Sequence, residues 1–208
     1  PKNVTSATGL DALCHAMESY FSVKAQPITQ TFSLAAIQKI TANIKTAYNE
    51  GTNIQARDEM SLAALEAGLA FSNASVTLIH GMSRPIGALF HVPHGISNAM
   101  LLPAVLDFTR DAAIQPLAEI ERFIYPQAQG TDEVLADLFI DEVKTLCQEL
   151  DIPNLRTWGI DPDAFEKALD KMATDAIDSG SPANNPRIPT HAEIVDLYRT
   201  CFDYSSNK

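Results

Sequence analysis

The feature that most constrains the fold is a helical period of apolar residues that runs through almost the whole chain. Segments such as "LDALCHAMESYFSVK" and "TDEVLADLFIDEVKTLCQEL" place apolar side chains three and four positions apart, as one face of an α-helix requires. The two-residue alternation of a half-buried strand is almost absent, and no strand–helix–strand rhythm appears. The pattern predicts an all-α fold. With 208 residues, 46% of them hydrophobic, the chain can form one sizeable domain or two closely packed halves of it.

Local signals predict several helix boundaries. Thr8 is predicted to cap the first helix, and Asp161 a later one that has Pro162 at its first position. The segment "SVTLIHGMSRPIGALF" has helical apolar spacing up to Arg84-Pro85, which predicts a helix as far as this point. Segment 178–190, "DSGSPANNPRIPT", is rich in Pro, Asn and Ser and is predicted to be the one long loop.

Charge and cysteine usage exclude several classes of function. The net charge of −11 argues against nucleic acid and anionic membranes as partners, because both require a basic surface. No apolar run reaches the roughly 18–20 residues that a membrane span needs. The three cysteines are odd in number and widely spaced, so a disulfide framework is not expected and a cytoplasmic location is.

Phosphate-binding motifs are missing. The chain contains nine glycines, and none of them forms G-x-G-x-x-G or G-x-x-x-x-G-K-[ST]. The G-x-S-x-G turn of many serine hydrolases and the H-E-x-x-H motif of metalloproteases are absent as well. The sequence therefore predicts no nucleotide-phosphate cradle within these residues.

An aspartate and a histidine lie four positions apart in "GLDALCHAME". Asp11 and His15 would share one helix face, with Cβ atoms about 5–6 Å apart, so both could reach one cation. Asp11 is also the third residue after Thr8, where an acid favours a helix N-terminus. Taken alone, the pair fits a capping aspartate beside a surface histidine better than it fits a metal site.

Two further histidines stand in apolar surroundings. His80 in "TLIHGM" must be hydrogen-bonded or ligated if it is buried, and alone it is best interpreted as a satisfied core histidine. His94 in "VPHG" is placed at a helix start, where the positive end of the helix keeps the imidazole neutral and able to bind a metal. Three imidazoles and one carboxylate without a thiolate suit Fe(II), Zn(II) or a neighbouring first-row metal.

Three segments carry a resemblance to a known family. "TGLDALCHAMESYFS", "LIHGMSRPIGALFHVPHGISNAMLLP" and "NNPRIPTHAEIVDLY" resemble the iron-containing (group III) alcohol dehydrogenases, in their C-terminal helical domain of the dehydroquinate synthase-like fold. The resemblance covers essentially residues 1–208 as one helical metal-binding catalytic domain. It implies Asp11, His15, His80 and His94 as ligands of Fe(II) or Zn(II). It also implies two packed helical subdomains, with His80 and His94 opposite the helix of Asp11 and His15.

The same resemblance implies hydride transfer between NAD or NADP and a small alcohol or aldehyde whose oxygen the metal polarises. Family members often associate, so a homo-oligomer is one expectation. The family's N-terminal dinucleotide-binding domain is absent from these residues, and the isolated chain is expected to bind metal weakly and to lack dehydrogenase activity.

One position departs from the family pattern. Many members carry a histidine four residues after the third ligand, where this chain has Arg84, which cannot move a proton at neutral pH but can bind a carboxylate or a phosphate. His91 is the substitute candidate for a catalytic histidine. A packing or helix-end role for His91 is an equal alternative.

Two rival functions stay open at this point. The first is a catalytically inactive, truncated helical domain whose histidines serve packing or oligomer contacts. The second is a metal-dependent hydrolase, which would need a general base such as Glu18 or His91 beside the metal-bound water.

Overall fold

The structure, a computed structural model, describes residues 1–205 as helices joined by short connections. The α-helices are α1 (Lys2–Phe21), α2 (Pro27–Asn49), α3 (Ile54–Ala74), α4 (Leu78–Phe90), α5 (His94–Thr109), α6 (Ile114–Ile124), α7 (Asp132–Glu149), α8 (Leu155–Trp158), α9 (Pro162–Asp178) and α10 (His191–Phe202). Short 3₁₀-helices span Arg110–Ala112 and Pro182–Asn184. No strand occurs in residues 1–205, so the prediction of an all-α fold is confirmed.

Helix α1 lies at the centre of the packing. It contacts α2, α3 and α5 extensively, and more than half of its residues are buried. Helix α4 packs on α5 and α9, α10 packs on α9 and α5, and α6 pairs with α7. The buried apolar side chains of these helices form one continuous core. The expected division into two subdomains is therefore not visible as two separate cores.

Capping residues fix the starts of the C-terminal helices. The side chain of Asp161 accepts a hydrogen bond from the Ala164 amide, and Pro162 occupies the first helical position, as predicted. Thr190 and Glu193 form a reciprocal capping box at the start of α10. Both signals are local, and for that reason the sequence alone can reveal them.

The predicted start of the first helix is wrong. Helix α1 begins at Lys2, so Thr8 lies inside the helix, where its hydroxyl donates to the Val4 carbonyl at 2.8 Å. Asp11 is consequently a mid-helix residue and has no capping function. The extra turns are held by tertiary packing, since the Ala7 carbonyl lies against the start of α5.

Packing also overrides the signals at Arg84-Pro85 and in segment 178–190. Helix α4 continues through Pro85 to Phe90, because Pro85 and Ile86 are buried against neighbouring helices. Beyond Asp178, the last residue of α9, this segment has no α-helix, yet it is packed onto the body of the protein: the Asn184 side-chain amide donates to the Val76 carbonyl at 3.1 Å and to the Ser75 hydroxyl at 3.1 Å. The predicted loop is thus a fixed structural segment.

The state of the cysteines and the apolarity of the helices agree with two expectations from the sequence, namely no disulfide framework and no apolar run of membrane-span length. Cys14, Cys147 and Cys201 are all buried free thiols. In the described part of the chain, no single helix has the length and apolarity of a bilayer span. Helices α3 and α4 together pass that test by length and composition, but they meet at a bend of 101°.

A buried glutamate in α6 gives the fold a pH dependence. Glu121 is 3% exposed, and its Oε2 has no hydrogen-bond partner among residues 1–205. Burial, with a smaller contribution from the charge of Glu142, raises the pKa of Glu121 from 4.5 to about 7. The folded state thus binds this proton more tightly than the unfolded chain does. The resulting stabilisation is complete below pH 4.5 and is lost as the pH rises through 7.

We expect Glu121→Gln to remove this loss and to make the protein more stable than wild type by about 2 kcal/mol at pH 8.5, with little difference at pH 4.5. Urea unfolding of both proteins at the two pH values measures the effect. Glu59→Gln on the exposed side of α3 is the matched control. An equal pH dependence in wild type and Glu121→Gln would contradict the prediction.

Candidate metal centre

Three helices bring four metal-ligand side chains to one place. Helix α1 supplies Asp11 and His15 from the same face, α4 supplies His80 near its start, and α5 supplies His94 as its first residue. One ligand atom from each of these residues lies within 4.8 Å of the corresponding atoms of the others. We call this group the four-residue cluster.

The aspartate is at the centre of the four-residue cluster. Its Oδ1 lies 3.6 Å from His80 Nε2, 3.6 Å from His94 Nε2 and 4.0 Å from His15 Nδ1. Ligand atoms placed tetrahedrally at about 2.1 Å from a zinc-type ion are about 3.4 Å from one another. Only small side-chain adjustments would therefore be needed for these atoms to share one first-row metal ion.

A close approach of two helices positions His94. A Cβ atom on the next residue, Gly95, would lie only 2.7 Å from the Ala7 carbonyl oxygen, so a residue with a side chain could not occupy this contact without a backbone shift. His91 ends α4 in the left-handed conformation with φ of 56°, and this turns the chain into α5 within a few residues. Gly95 and this tight turn together bring the start of α5 to the face of α1 that carries Asp11.

A buried carboxylate orients the second imidazole. Glu18 is 0% exposed and contacts Nδ1 of His80. Its Oε1 accepts hydrogen bonds from the Ile79 amide at 2.7 Å and from the Thr77 hydroxyl at 2.9 Å. With Nδ1 held by Glu18, Nε2 of His80 is the nitrogen that faces Asp11. A carboxylate behind a metal-ligating histidine is the arrangement that commonly fixes the tautomer and raises the basicity of the ligand.

The electrostatics of the four-residue cluster follow from burial and from its two carboxylates. Burial opposes the charged form of His80, but the charges of Glu18 and Asp11 outweigh it and raise the pKa of His80 to about 9. Burial lowers the pKa of His15 to about 4, with His80 as the second cause. Burial also lowers the pKa of His94, to which the charges of His80 and Arg84 add. Two of the three imidazoles are therefore neutral at pH 7 and have a lone pair for a metal.

An amide group stands among the ligand atoms. The Asn98 Nδ2 lies 2.6 Å from Asp11 Oδ1, 3.1 Å from His94 Nε2 and 3.2 Å from His80 Nε2, while the buried Asn98 Oδ1 has no partner in the described residues. One amide has two N–H donors, and here it meets three acceptor-type atoms. The cluster thus has more lone pairs than Asn98 has N–H donors. When His80 is protonated, its Nε2 becomes a further N–H donor in the cluster. A divalent cation would satisfy the same lone pairs, so the donor set fits a metal.

Access to the four-residue cluster differs from one side to the other. The side chain of His80 is 3% exposed and that of His15 is 19% exposed, whereas that of His94 is 49% exposed. Phe71 stacks on the His15 ring with centroids 4.2 Å apart and covers that side. A small molecule can therefore approach the cluster from the side of His94.

The structure brings together all four residues that the resemblance implies as ligands, and it sets two other candidates apart. His91 is exposed at the end of α4 and is outside the cluster, so its catalytic role stays a prediction. Glu18 is fully buried and engaged with His80, which leaves it unable to act as the general base of a hydrolase. Sequence reasoning missed Glu18 as the partner of His80 and Asn98 as a fifth polar group. The available signal was helical spacing, because Glu18 follows His15 by three residues and Asn98 follows His94 by four.

A family model and several named relatives resemble this chain over most of its length. The family model described as "Fe-containing alcohol dehydrogenase family, C-terminal" matches residues 5–202. The chain is 36% identical to the 1,3-propanediol dehydrogenase of Citrobacter freundii over 204 residues, which are 97% of this chain and 52% of that protein. It is 37% identical over 203 residues to the NADPH-dependent butanol dehydrogenase of Clostridium saccharobutylicum, with the same two coverages.

Solved structures show the same likeness. A 1,3-propanediol oxidoreductase superposes with a TM-score of 0.91 at 35% identity, over 97% of this chain and 52% of that one. The alcohol dehydrogenase from Oenococcus oeni superposes with a TM-score of 0.89 at 32% identity and the same coverages. The chain thus spans about half the length of the relatives that it matches. On its matched residues and its all-helical fold, it belongs to the Fe-containing alcohol dehydrogenase family and corresponds to the C-terminal region of that family.

Proposed function

We propose that residues 1–208 form the helical, metal-binding catalytic domain of an NAD(P)-dependent alcohol dehydrogenase that oxidises small alcohols or reduces the matching aldehydes. The observation that carries this proposal is the convergence of Asp11, His15, His80 and His94 within 4.8 Å. Membership in the family and relatives named propanediol and butanol dehydrogenase support the reaction class.

In this proposal the four-residue cluster holds Fe(II), or Zn(II) in its place. When bound, such an ion acts as a Lewis acid that polarises the oxygen of the alcohol or aldehyde. Asp11 supplies the one anionic ligand, and Glu18 behind His80 supplies a second negative charge near the ion. Together they partly neutralise a divalent cation in a site that is mostly shielded from water.

The protein residues around the cluster orient the substrate and exclude water. Phe71 and the buried side of α1 close the cluster behind His15, so the substrate oxygen must enter beside the half-exposed His94. His91 is proposed as the group that exchanges a proton with solvent, because it is exposed on the turn that leads to His94. The coenzyme phosphates require another part of the protein, since no glycine-rich phosphate loop occurs in this sequence.

The proposal is tested by metal analysis of the 208-residue chain purified without chelator and then loaded anaerobically with Fe(II), Zn(II) or Co(II). We expect one divalent ion per chain, a melting temperature that falls on addition of chelator, and no turnover of NAD(P)H with aldehydes by this chain alone. A chain that takes up no ion, with melting insensitive to metal and chelator, would instead support a non-catalytic domain with a structural or oligomerisation role.

A further inference from the structure

Arg84 stands beside the metal centre. It is on α4, four residues after His80, so the Cβ atoms of the two residues lie about 5–6 Å apart on one helix face. Unlike the buried His80, Arg84 is exposed to solvent. Its positive charge is close enough to His94, on the open side of the cluster, to act on that imidazole.

The guanidinium of Arg84 has no carboxylate partner among the described residues. In residues 1–205, every other arginine except Arg57 forms an ion pair within 4.0 Å, in a chain with 26 acidic and 15 basic residues. Arg84 instead donates one hydrogen bond from Nη1 to the Ser181 hydroxyl, at 2.9 Å. Its remaining N–H donors have no partner within residues 1–205 and can bind a ligand.

The partner hydroxyl is held in a fixed position. Ser181 is 5% exposed, and its own amide donates to the Ser179 hydroxyl at 3.3 Å. The following residue, Pro182, packs so closely on Gly81 of α4 that a Cβ on Gly81 would lie 2.7 Å from the proline ring. Segment 178–190 is therefore clamped to α4 next to Arg84, and Ser181 orients the guanidinium before any ligand binds.

We propose that Arg84, oriented by Ser181, binds the carboxylate of the substrate, so that the protein acts on a short hydroxycarboxylic acid or the matching aldehyde acid. The planar guanidinium can hold a carboxylate through two parallel hydrogen bonds, which a neutral alcohol cannot form. The hydroxyl or aldehyde end of the same molecule then reaches the cluster beside His94. This inference rests on the proposed function, because it specifies the substrate class of that site.

The test uses the Co(II)-loaded 208-residue chain, with 4-hydroxybutyrate and the neutral 1,4-butanediol as probes. Calorimetry and the visible absorption bands of Co(II) report binding at the metal centre. We expect 4-hydroxybutyrate to bind at least roughly tenfold more tightly than the diol. The reason is that a pair of charge-assisted hydrogen bonds lowers the dissociation constant by at least about a factor of ten. Arg84→Gln should abolish this preference and leave diol binding unchanged, whereas Arg57→Gln, which alters another unpaired arginine, should preserve the preference.

The outcomes separate this inference from the proposed function. A chain that binds no Co(II), or that binds it equally well after His94→Ala, overturns the proposed function and this inference with it. If Co(II) binds at the cluster but the two probes bind equally, or Arg84→Gln keeps the preference, only the inference about the substrate fails. Tighter binding of inorganic phosphate than of 4-hydroxybutyrate would likewise overturn the carboxylate assignment. Circular dichroism should show an unchanged fold in Arg84→Gln, because the side chain is exposed.

Discussion

Replacing His94 by Ala is expected to lower the affinity of the chain for Fe(II), Zn(II) or Co(II) by more than roughly 100-fold, because loss of a supporting partner alone costs roughly 10–100-fold. His94 supplies one of four converging ligand atoms, and its ring is half exposed. It contributes little to the core, so the free energy of unfolding measured in chelator should change by less than about 0.5 kcal/mol. Competition with a chromophoric chelator measures the metal affinity, and urea unfolding measures the stability.

The matched control is His191→Ala. His191 is also the first residue of its helix, and its side chain is 40% exposed, but it contacts Thr174 and Asp170, far along the chain from the cluster. We expect its removal to leave metal affinity unchanged. Equal metal affinity in wild type and His94→Ala would contradict the assignment of His94 as a ligand, even if the chain binds an ion elsewhere.

The second large effect is expected from Glu18→Gln, which should reduce metal affinity by roughly 10–100-fold without altering any ligand. The glutamine keeps the size of the side chain and can still accept hydrogen bonds from Thr77 and Ile79. Its amide, however, would donate to Nδ1 of His80, and the ring proton would then move to Nε2. A protonated Nε2 has no lone pair to offer to the metal.

The same substitution should destabilise the metal-free protein. Glu18 is fully buried, and its negative charge stabilises the protonated form of His80. Burial opposes that form, but the charge of Glu18 helps to raise the pKa of His80 to about 9. Removing one partner of a buried ion pair costs about 3–5 kcal/mol when the other charge is left behind. We expect a loss near the lower limit at pH 6, since His80 can relieve part of the penalty by releasing its proton.

Glu121→Gln provides the comparison for Glu18→Gln, because it makes the same chemical change at another buried glutamate. Glu121 lies on α6, outside the cluster, and its Oε2 has no partner in residues 1–205, so its neutralisation should stabilise the protein at pH 8.5 and leave metal binding intact. If Glu18→Gln binds metal as tightly as wild type, Glu18 has no role in orienting His80. Isothermal titration of all three proteins with Zn(II) decides the question.

The sequence predicted helices better than it predicted their ends. The period of apolar residues is repeated over many turns, so the presence of each long helix could be inferred. The cap at Asp161 was correct because the Asp side chain and the Ala164 amide are neighbours in sequence. The cap at Thr8 was wrong because the first turns of α1 are stabilised by α5, a contact between residues that are far apart in the chain. The four-residue helix α8 is too short to leave a periodic signal.

For the candidate metal centre, sequence spacing predicted only one pair of neighbouring residues. A helix places residues four apart on one face, so Asp11 and His15 could be predicted as neighbours from the local geometry. Each remaining histidine had an ordinary alternative as a core or helix-end residue, and spacing alone could not choose among them. The family resemblance named the four residues together, and the geometry of the cluster agrees with that set.

The sequence by itself determined an all-helical chain, the helix face shared by Asp11 and His15, and membership in a family whose motifs it carries. Only the tertiary structure decided that Glu18 holds His80 from behind, that Asn98 lies among the ligand atoms, and that Ser181 orients Arg84. The physical reason is distance along the chain. Helical periodicity and caps arise from residues within a few positions, whereas these contacts form when helices pack as closely as Gly95 against Ala7 and Gly81 against Pro182.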